Sequence, residues 1–197
     1  MCLCGITGEY LITMKIVFLD RDGVINEFPG NGKYVTKVKN FHFIPGSLEA
    51  IRLLTEQGFT LFVVSNQAGV GKGLFTKDKL KHITKNMLRD INKNGGRIEG
   101  VFYCTNRSEQ NCDCRKPQIG NIEKALASMG KTLRSAKRAF FVGDTETDIL
   151  AGNTAGCRTI LVRSGREDRV HIKKWDVKPT FITKNLFEAT KIIRKSY

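Results

Sequence analysis

The stretch Lys15-Ile-Val-Phe-Leu-Asp-Arg-Asp-Gly-Val24 decides the fold. It starts as a short apolar run and ends abruptly in charge, a pattern typical of a buried parallel strand that stops at a sheet edge. Asp20 and Asp22 stand two residues apart, so their carboxylates point to the same side of extended backbone. Such a pair favours a bound Mg²⁺, whose preferred ligands are oxygens, although two aspartates can also simply cap a turn.

Strands and helices alternate along the rest of the chain. Apolar runs predict further strands at 59–64, 98–103, 138–142, 158–162 and 180–183, the last of them at an edge. Helical spacing of apolar residues predicts helices at 46–57, 77–94, 119–129, 146–155 and 186–194. This alternation predicts an α/β fold with a central parallel sheet, covered on both faces, and a ligand site beyond the carboxyl ends of the strands.

Polar clusters follow three of the predicted strands. They are Asp20-Arg-Asp22, Ser65-Asn-Gln67 and Gly143-Asp144. Asp144 can supply a third oxygen to a metal, and Asp148, one helical turn further on, can bind the metal through water or orient a ligand. The polar, glycine-containing insertion at 26–40 is expected to fold over these strand ends as a small cap.

Length, charge and cysteine content narrow the class of protein. The 197 residues suit one domain, and the formal net charge of +14 favours anionic partners, either phosphorylated metabolites or nucleic acid. No apolar stretch is long enough to span a bilayer, and Glu9 interrupts the apolar start, so a secretory signal is not indicated. We therefore expect a cytoplasmic monomer with a domain at 15–197 and an N-terminal extension of unknown role at 1–14.

The motifs DRDGV, SNQ, KP and GDTETD occur in that order, each at a strand end or in a loop. Together they resemble the haloacid-dehalogenase superfamily of phosphohydrolases over residues 15 to about 190. The resemblance implies a three-layer, Rossmann-like haloacid-dehalogenase fold with minimal cap loops. It also implies an enzyme that hydrolyses phosphate monoesters with Mg²⁺.

The resemblance implies a role for each motif residue. Asp20 attacks phosphorus and forms an aspartyl-phosphate, and Asp22 protonates the leaving oxygen and then activates water. Ser65 and Lys116 hold the transferring phosphoryl oxygens. Mg²⁺ is bound by three residues, Asp20, Asp144 and, through its backbone carbonyl, Asp22.

The loop Cys104-Thr-Asn-Arg-Ser-Glu-Gln-Asn-Cys-Asp-Cys-Arg-Lys-Pro117 narrows the resemblance to the histidinol-phosphatase and heptose-bisphosphate phosphatase branch. That branch carries a zinc loop of the form C-x-H…C-x-C, so Cys104, Cys112 and Cys114 are candidate zinc ligands. Asn106 occupies the histidine position. Three alternatives are open. Zinc can be held by three thiolates with water or another side chain as the fourth ligand, or Cys2 or Cys4 can fold back to supply that ligand. The third alternative is a loop without metal.

The segment NQAGVGKGLFT at 66–76 resembles the heptose-bisphosphate enzymes more than the histidinol phosphatases. It favours removal of the 7-phosphate from D-glycero-D-manno-heptose 1,7-bisphosphate, a precursor of lipopolysaccharide, with Asn66, Lys72 and Arg115 binding substrate. Lys72 stands where the branch usually has arginine. The alternatives are a histidinol-phosphate phosphatase, a polynucleotide 3′-phosphatase, which the net charge suggests but no nucleic-acid-binding module supports, and a non-catalytic binding protein, against which the intact motifs argue.

Overall fold

The computed structural model describes residues 15–166 and 175–197. The predicted extension at 1–14, with Cys2 and Cys4, lies outside the described residues. The strands are β1 (Lys15–Leu19), β2 (Phe59–Asn66), β3 (Gly100–Cys104), β4 (Phe140–Gly143), β5 (Arg158–Val162) and β6 (Phe181–Thr183). The helices are α1 (Ser47–Glu56), α2 (Lys77–Lys93), α3 (Gly120–Ala127), α4 (Glu146–Ala155) and α5 (Leu186–Lys195), with short 3₁₀ helices at Val38–Asn40 and Leu133–Arg138.

The six strands form one sheet in the order β3-β2-β1-β4-β5-β6, and every pair in it is parallel. The predicted parallel sheet, with the last strand at an edge, is therefore confirmed. β1 lies inside the sheet, where Val17 pairs with Leu61 of β2 and Phe140 of β4. The order of the strands reverses between β1 and β4, and a crevice opens beyond the carboxyl ends at such a switch point.

Alternate residues of each strand pack on opposite faces of the sheet. Val17 and Leu19 belong to a core shared with α1, α2 and α5, whereas Ile16 and Phe18 pack against α3, α4 and the second 3₁₀ helix. These apolar side chains are almost fully buried, and each such burial contributes about 1.5–3 kcal/mol. Among the described residues, no helix is both long and apolar enough to cross a bilayer.

The boundaries of four strands differ from the prediction, with β6 starting one residue later than expected. β2 continues to Asn66, so Ser65 and Asn66 are the last residues of the strand. β3 runs from Gly100 to Cys104, later than the predicted 98–103. β4 starts at Phe140, because Arg138 closes a 3₁₀ helix that begins at Leu133. A 3₁₀ helix of six residues is too short to show an apolar period, so the sequence pattern cannot separate its end from the start of a strand.

Candidate active site

The polar ends of β1, β2 and β4 meet at one cavity. Asp20 follows β1, Ser65 lies near the end of β2, and Asp144 follows β4. All three line a cavity of about 830 Å³. The structure therefore brings together residues that lie up to 124 positions apart in the chain, as the parallel arrangement of the strands predicted.

Three aspartates form a carboxylate cluster at the floor of this cavity, namely Asp20, Asp144 and Asp148. Their nearest carboxylate oxygens all lie within 4.8 Å of one another, and all three residues are buried. Asp144 Oδ2 accepts a hydrogen bond of 2.8 Å from the Arg166 backbone amide, while its buried Oδ1 has no hydrogen-bond partner among the described residues. A buried anionic oxygen without a donor, beside two further carboxylates, fits the oxygen ligand set that Mg²⁺ prefers.

Lys116 supplies a cation to this cluster. Its buried Nζ lies 3.0 Å from Asp20 Oδ1 and 2.6 Å from Asp148 Oδ1, and it donates to the carbonyl of Val64 at 2.8 Å. Burial alone would lower the pKa of Lys116, but the charges of Asp148 and Asp20 raise it above its ordinary value. Lys116 is therefore a permanent ammonium that offsets part of the negative charge of the cluster.

Asn66 holds Lys116 in place. Its side-chain amide donates to the Lys116 carbonyl and accepts from the Lys116 backbone amide, both at 3.0 Å. Asn66 was predicted to bind substrate. It lines the cavity, but its amide oxygen and nitrogen are both used to position the lysine, a role that only the fold reveals.

Asp20 sits at the centre of this charge arrangement. Its Oδ1 accepts a hydrogen bond of 2.7 Å from the Arg21 backbone amide. Burial raises the pKa of Asp20 to about 6, with a further rise from Asp148, against the lowering effects of Lys116 and a hydrogen bond with Ser65. Burial and the charge of Asp148 also raise the pKa of Asp144 well above its ordinary value. A bound cation would relieve both carboxylates.

Gly23 allows this cluster to pack tightly. Its φ of +83° lies in the left-handed region, and a Cβ built there would come within 2.4 Å of Asp144 Oδ2. The turn after β1 therefore requires glycine both for its backbone conformation and for the space it leaves.

Asp148 fixes the second side of the cluster. Its Oδ2 accepts hydrogen bonds from the backbone amides of Asp144 and Thr145, at 3.2 and 3.0 Å, in the capping box that starts α4. Its Oδ1 faces Lys116. The sequence predicted two alternative roles for Asp148, binding the metal through water or orienting a ligand. Its spacing of four residues from Asp144 was the feature that placed it near the site.

The carboxylate of Asp22 is held apart from the cluster by three side chains. Asn26 Nδ2 donates to its Oδ1 at 2.8 Å, Gln67 Nε2 donates to its Oδ2 at 2.9 Å, and the guanidinium of Arg21 contacts both oxygens. Asp22 still lines the cavity and keeps 17% of its side chain exposed, so it can meet a bound ligand. Nothing in the sequence pattern identified these three partners.

The insertion after β1 forms a wall of the cavity. Residues 28–34 all line it, including Lys33 and Tyr34. Arg115 also lines the cavity, and its guanidinium donates to the carbonyl of Asn106 at 3.3 Å. Lys72 is not among the residues that line the cavity; its Nζ lies 5.7 Å from the ring centroid of Tyr34, which does line it.

The three loop cysteines form a second cluster, the cysteine cluster. Cys112 Sγ lies 3.7 Å from Cys104 Sγ and 3.5 Å from Cys114 Sγ. Tetrahedral zinc with bonds of about 2.3 Å separates its sulfur ligands by about 3.8 Å, so three sulfurs stand at fitting distances. The described residues offer no fourth cysteine, histidine or carboxylate to this cluster.

Two of the thiols differ in acidity. Burial raises the pKa of Cys104 to about 12, together with a side-chain hydrogen bond between Cys104 and Cys114 that favours the protonated thiol of Cys104. Desolvation works against ionisation of Cys112 as well, but hydrogen bonds with Asn106 and Cys114 lower its pKa to about 7. The Asn106 side chain therefore lies beside the cysteine cluster. In the sequence it occupies the position of the histidine ligand in the zinc loop that this segment resembles.

Comparisons with known proteins agree with this geometry. Residues 113–189 match the family model described as "HAD-hyrolase-like". The chain is 33% identical over 187 residues to a D-glycero-beta-D-manno-heptose-1,7-bisphosphate 7-phosphatase from Pasteurella multocida, an alignment that covers 91% of this chain and 97% of the relative. It is 35% identical over 153 residues to the enzyme of the same name from Neisseria meningitidis serogroup A, covering 78% of this chain and 79% of the relative.

Solved structures are also similar to this chain, and one of them is a heptose bisphosphate phosphatase. The D,D-heptose 1,7-bisphosphate phosphatase from B. bronchiseptica, crystallised with magnesium and phosphate, superimposes with a TM-score of 0.85 at 29% identity. The match covers 93% of this chain and 100% of that chain.

Proposed function

We propose that this chain, which belongs to the family of D-glycero-beta-D-manno-heptose-1,7-bisphosphate 7-phosphatases within the HAD-like hydrolases, removes the 7-phosphate from D-glycero-D-manno-heptose 1,7-bisphosphate. The single observation that carries the proposal is the floor of the cavity. There a buried ammonium, Lys116, lies 3.0 Å from the carboxylate of Asp20, beside an Asp144 oxygen that has no described donor.

The proposed reaction has two steps. Asp20 attacks phosphorus, the bond between phosphorus and the sugar oxygen breaks, and Asp22 gives its proton to that oxygen. In the second step Asp22 takes a proton from water as the water oxygen attacks the aspartyl-phosphate, which releases inorganic phosphate and restores Asp20. Ser65 and Lys116 donate to the phosphoryl oxygens during both steps.

The residues present fit a magnesium ion. Asp20, Asp144 and the backbone carbonyl of Asp22 would hold it, and Asp148 would orient Lys116 and the turn that carries Asp144. When bound, the ion supplies positive charge that offsets the phosphoryl oxygens and the buried carboxylates. The raised pKa of Asp20, about 6, supports this assignment, because burial is the main cause of the rise and a bound cation would counteract it.

A bisphosphate needs a second anion site. Arg115 lines the same cavity as Asp20, and its planar guanidinium suits a phosphate. Lys33 lines the insertion wall and adds a second positive charge. Lys72, whose Nζ lies 5.7 Å from the ring of Tyr34, is proposed as a weaker contact. Asn66 is proposed to contribute to binding through the position of Lys116.

We also propose that the cysteine cluster binds a structural zinc ion. The sulfur separations of 3.5 and 3.7 Å support three of its ligands. The side chain of Asn106 or a water molecule would complete the set. The described cysteines are free thiols, which also supports the proposed cytoplasmic location. The domain at 15–197, the monomeric state and the absence of a nucleic-acid partner stay predictions.

The test of the substrate is a direct comparison. Purified protein with Mg²⁺ is assayed for phosphate release from heptose 1,7-bisphosphate, histidinol phosphate and a 3′-phosphorylated oligonucleotide. We expect kcat/KM to be highest for the heptose bisphosphate, and the product to keep its 1-phosphate. A clear preference for histidinol phosphate would overturn the substrate, and a preference for the oligonucleotide would overturn the substrate class.

A further inference from the structure

Arg21 stands between the two motif aspartates and has no part in the proposed reaction. Its side chain is fully buried, which is rare for arginine, because a desolvated guanidinium is costly unless it is paired. The Coulomb interaction with Asp22 offsets the cost of burial and raises the pKa of Arg21 above its ordinary value. The buried guanidinium of Arg21 therefore lies directly beside Asp22, the proposed acid–base residue, and its function has to be explained.

The guanidinium chelates the carboxylate of the next residue. Nη2 lies 2.9 Å from both Asp22 Oδ1 and Asp22 Oδ2, and Nε lies 3.2 Å from Oδ1. Contacts to both oxygens fix the rotation of the carboxylate as well as its position. Asn26 and Gln67 add one neutral donor to each oxygen, so Arg21 is the charged member of a bracket of three side chains.

Two aromatic rings hold the guanidinium itself. Its carbon atom lies 5.8 Å from the ring centroid of Tyr103 and 6.0 Å from that of Phe41. Tyr103 belongs to β3 and is tied to Thr84 of α2 by a hydrogen bond of 3.1 Å between their hydroxyls. Phe41 follows the insertion that walls the cavity. The position of Arg21 is thus set by the sheet on one side and by the insertion on the other.

We infer that Arg21 is a positioning residue, which holds the Asp22 carboxylate in the orientation needed for both proton transfers. The inference rests on the proposed aspartyl-phosphate reaction and goes beyond it, since it concerns a residue that touches neither substrate nor metal. The bland alternative is a buried ion pair that only stabilises the fold. The two roles predict different results when Arg21 is replaced. A positioning role predicts a loss of activity that depends on the leaving group of the substrate, whereas a purely structural role predicts the same loss for every leaving group.

The decisive variant is Arg21→Lys, which keeps the charge but cannot chelate both oxygens. Its kcat/KM is measured with phenyl phosphate and with p-nitrophenyl phosphate, whose leaving group is a much weaker base and needs little protonation. We expect a loss of about 100-fold for phenyl phosphate but less than about fivefold for p-nitrophenyl phosphate. We also expect a burst of about one p-nitrophenol per enzyme, because hydrolysis of the aspartyl-phosphate still needs Asp22.

The controls separate this inference from the proposed function. Arg97→Lys alters an exposed ion pair, 2.8 Å from Arg97 Nη2 to Glu99 Oε2, and should leave both substrates unaffected. If Asp20→Asn still hydrolyses p-nitrophenyl phosphate, the proposed reaction itself fails. If Asp20→Asn is inactive while Arg21→Lys loses the same factor on both substrates, or loses nothing, only the positioning role fails.

A second variant keeps the test decisive should Arg21→Lys fail to fold. Tyr103→Leu keeps both Arg21 and Asp22 but removes one of the two aromatic rings that hold the guanidinium in position. We expect the same leaving-group dependence with a loss of about tenfold for phenyl phosphate, and correct folding is checked by the melting temperature. Equal losses on the two substrates would overturn the inference.

Discussion

The carboxylate cluster and the cysteine cluster are both candidate metal sites, but different parts of the fold hold their ligands. Asp20 and Asp144 directly follow inner strands, β1 and β4, and Asp148 caps α4. Cys104 ends β3, a strand at the edge of the sheet, whereas Cys112 and Cys114 lie in an irregular loop whose residues 107–111 are exposed. The sheet therefore positions the three carboxylates even when no metal is bound. The positions of the three thiols depend more on a bound metal, because two of them lie in an irregular loop.

The two clusters also differ in their internal charge. The three carboxylates share the buried ammonium of Lys116, so part of the charge of a bound cation is already balanced. No lysine or arginine head group contacts the three sulfurs among the described residues, and hydrogen bonds alone lower the pKa of Cys112 to about 7. We therefore expect magnesium in the carboxylate cluster to serve the reaction, whereas the zinc proposed for the cysteine cluster would stabilise the loop.

The largest expected effect is the loss of the nucleophile. Asp20→Asn should lower kcat by at least about 10⁴-fold, since no carboxylate remains to form the aspartyl-phosphate. The melting temperature should not fall, because a neutral amide fits a site where burial already raises the pKa of the carboxyl group. The matched change in the other cluster, Cys112→Ser, should lower the melting temperature and keep most of the turnover. If the cysteine variant lost as much turnover as the aspartate variant, the division between the two clusters would be wrong.

Removal of the built-in cation comes next. Lys116→Met should lower kcat by about 10²–10³-fold through the lost donor to the phosphoryl oxygens. It should also lower the free energy of unfolding by about 3 kcal/mol, because two carboxylates lose their buried partner. Kinetics and urea unfolding measure the two effects, with the exposed Lys81→Met as the control. Unchanged stability would mean that the carboxylates take up protons at no net cost.

The sequence predicted the parts of the active site that depend on local signals. Asp20, Ser65 and Asp144 follow or end apolar runs, and the parallel sheet places the ends of such runs together. The sequence also predicted that the insertion at 26–40 folds over the strand ends, and residues 28–34 of this insertion line the cavity. These predictions needed only residue type, period and strand order.

The contacts between distant side chains were beyond the sequence. Asp148 and Lys116 lie 32 positions apart, and no pattern in either segment indicates their 2.6 Å contact. Asn66 was predicted to bind substrate from the resemblance of its segment, 66–76, to the heptose-bisphosphate enzymes, but its amide is hydrogen-bonded to the backbone of Lys116. Arg21 would be expected at the surface from its type alone. Its burial depends on the ion pair with Asp22 and on packing against Phe41 and Tyr103.

A smaller effect would sharpen the account of the cysteine cluster. Asn106 lies beside Cys112, so Asn106→His should bring a fourth ligand to the three sulfurs. We expect zinc affinity to rise at least about tenfold in competition with a chelator, because a protein ligand replaces water or a weak amide. Turnover with Mg²⁺ should stay the same. A variant that binds zinc no better than the wild type would show that the cluster is not arranged around a fourth position.

The smallest expected effect is the pH dependence of magnesium stabilisation. In the metal-free protein the pKa of Asp20 rises from 3.8 to about 6, so the folded state binds this proton more tightly than the unfolded chain. Stability is therefore lost as the pH rises from about 4 to 6, and Asp144, whose pKa is also raised, acts in the same direction. Magnesium binds the ionised carboxylates and should reverse the loss.

Thermal unfolding with and without Mg²⁺ tests this dependence. The difference in melting temperature should be near zero at pH 4.5 and grow to on the order of 5 °C at pH 7. Cys112→Ser should show the same growth from a lower baseline, because its cluster does not bind the hard cation. A magnesium effect that did not change across this range would mean that Asp20 and Asp144 are already ionised at pH 4.5. The carboxylate cluster would then owe its charge balance to Lys116 alone, and the contrast with the cysteine cluster would rest on the sheet rather than on the metal.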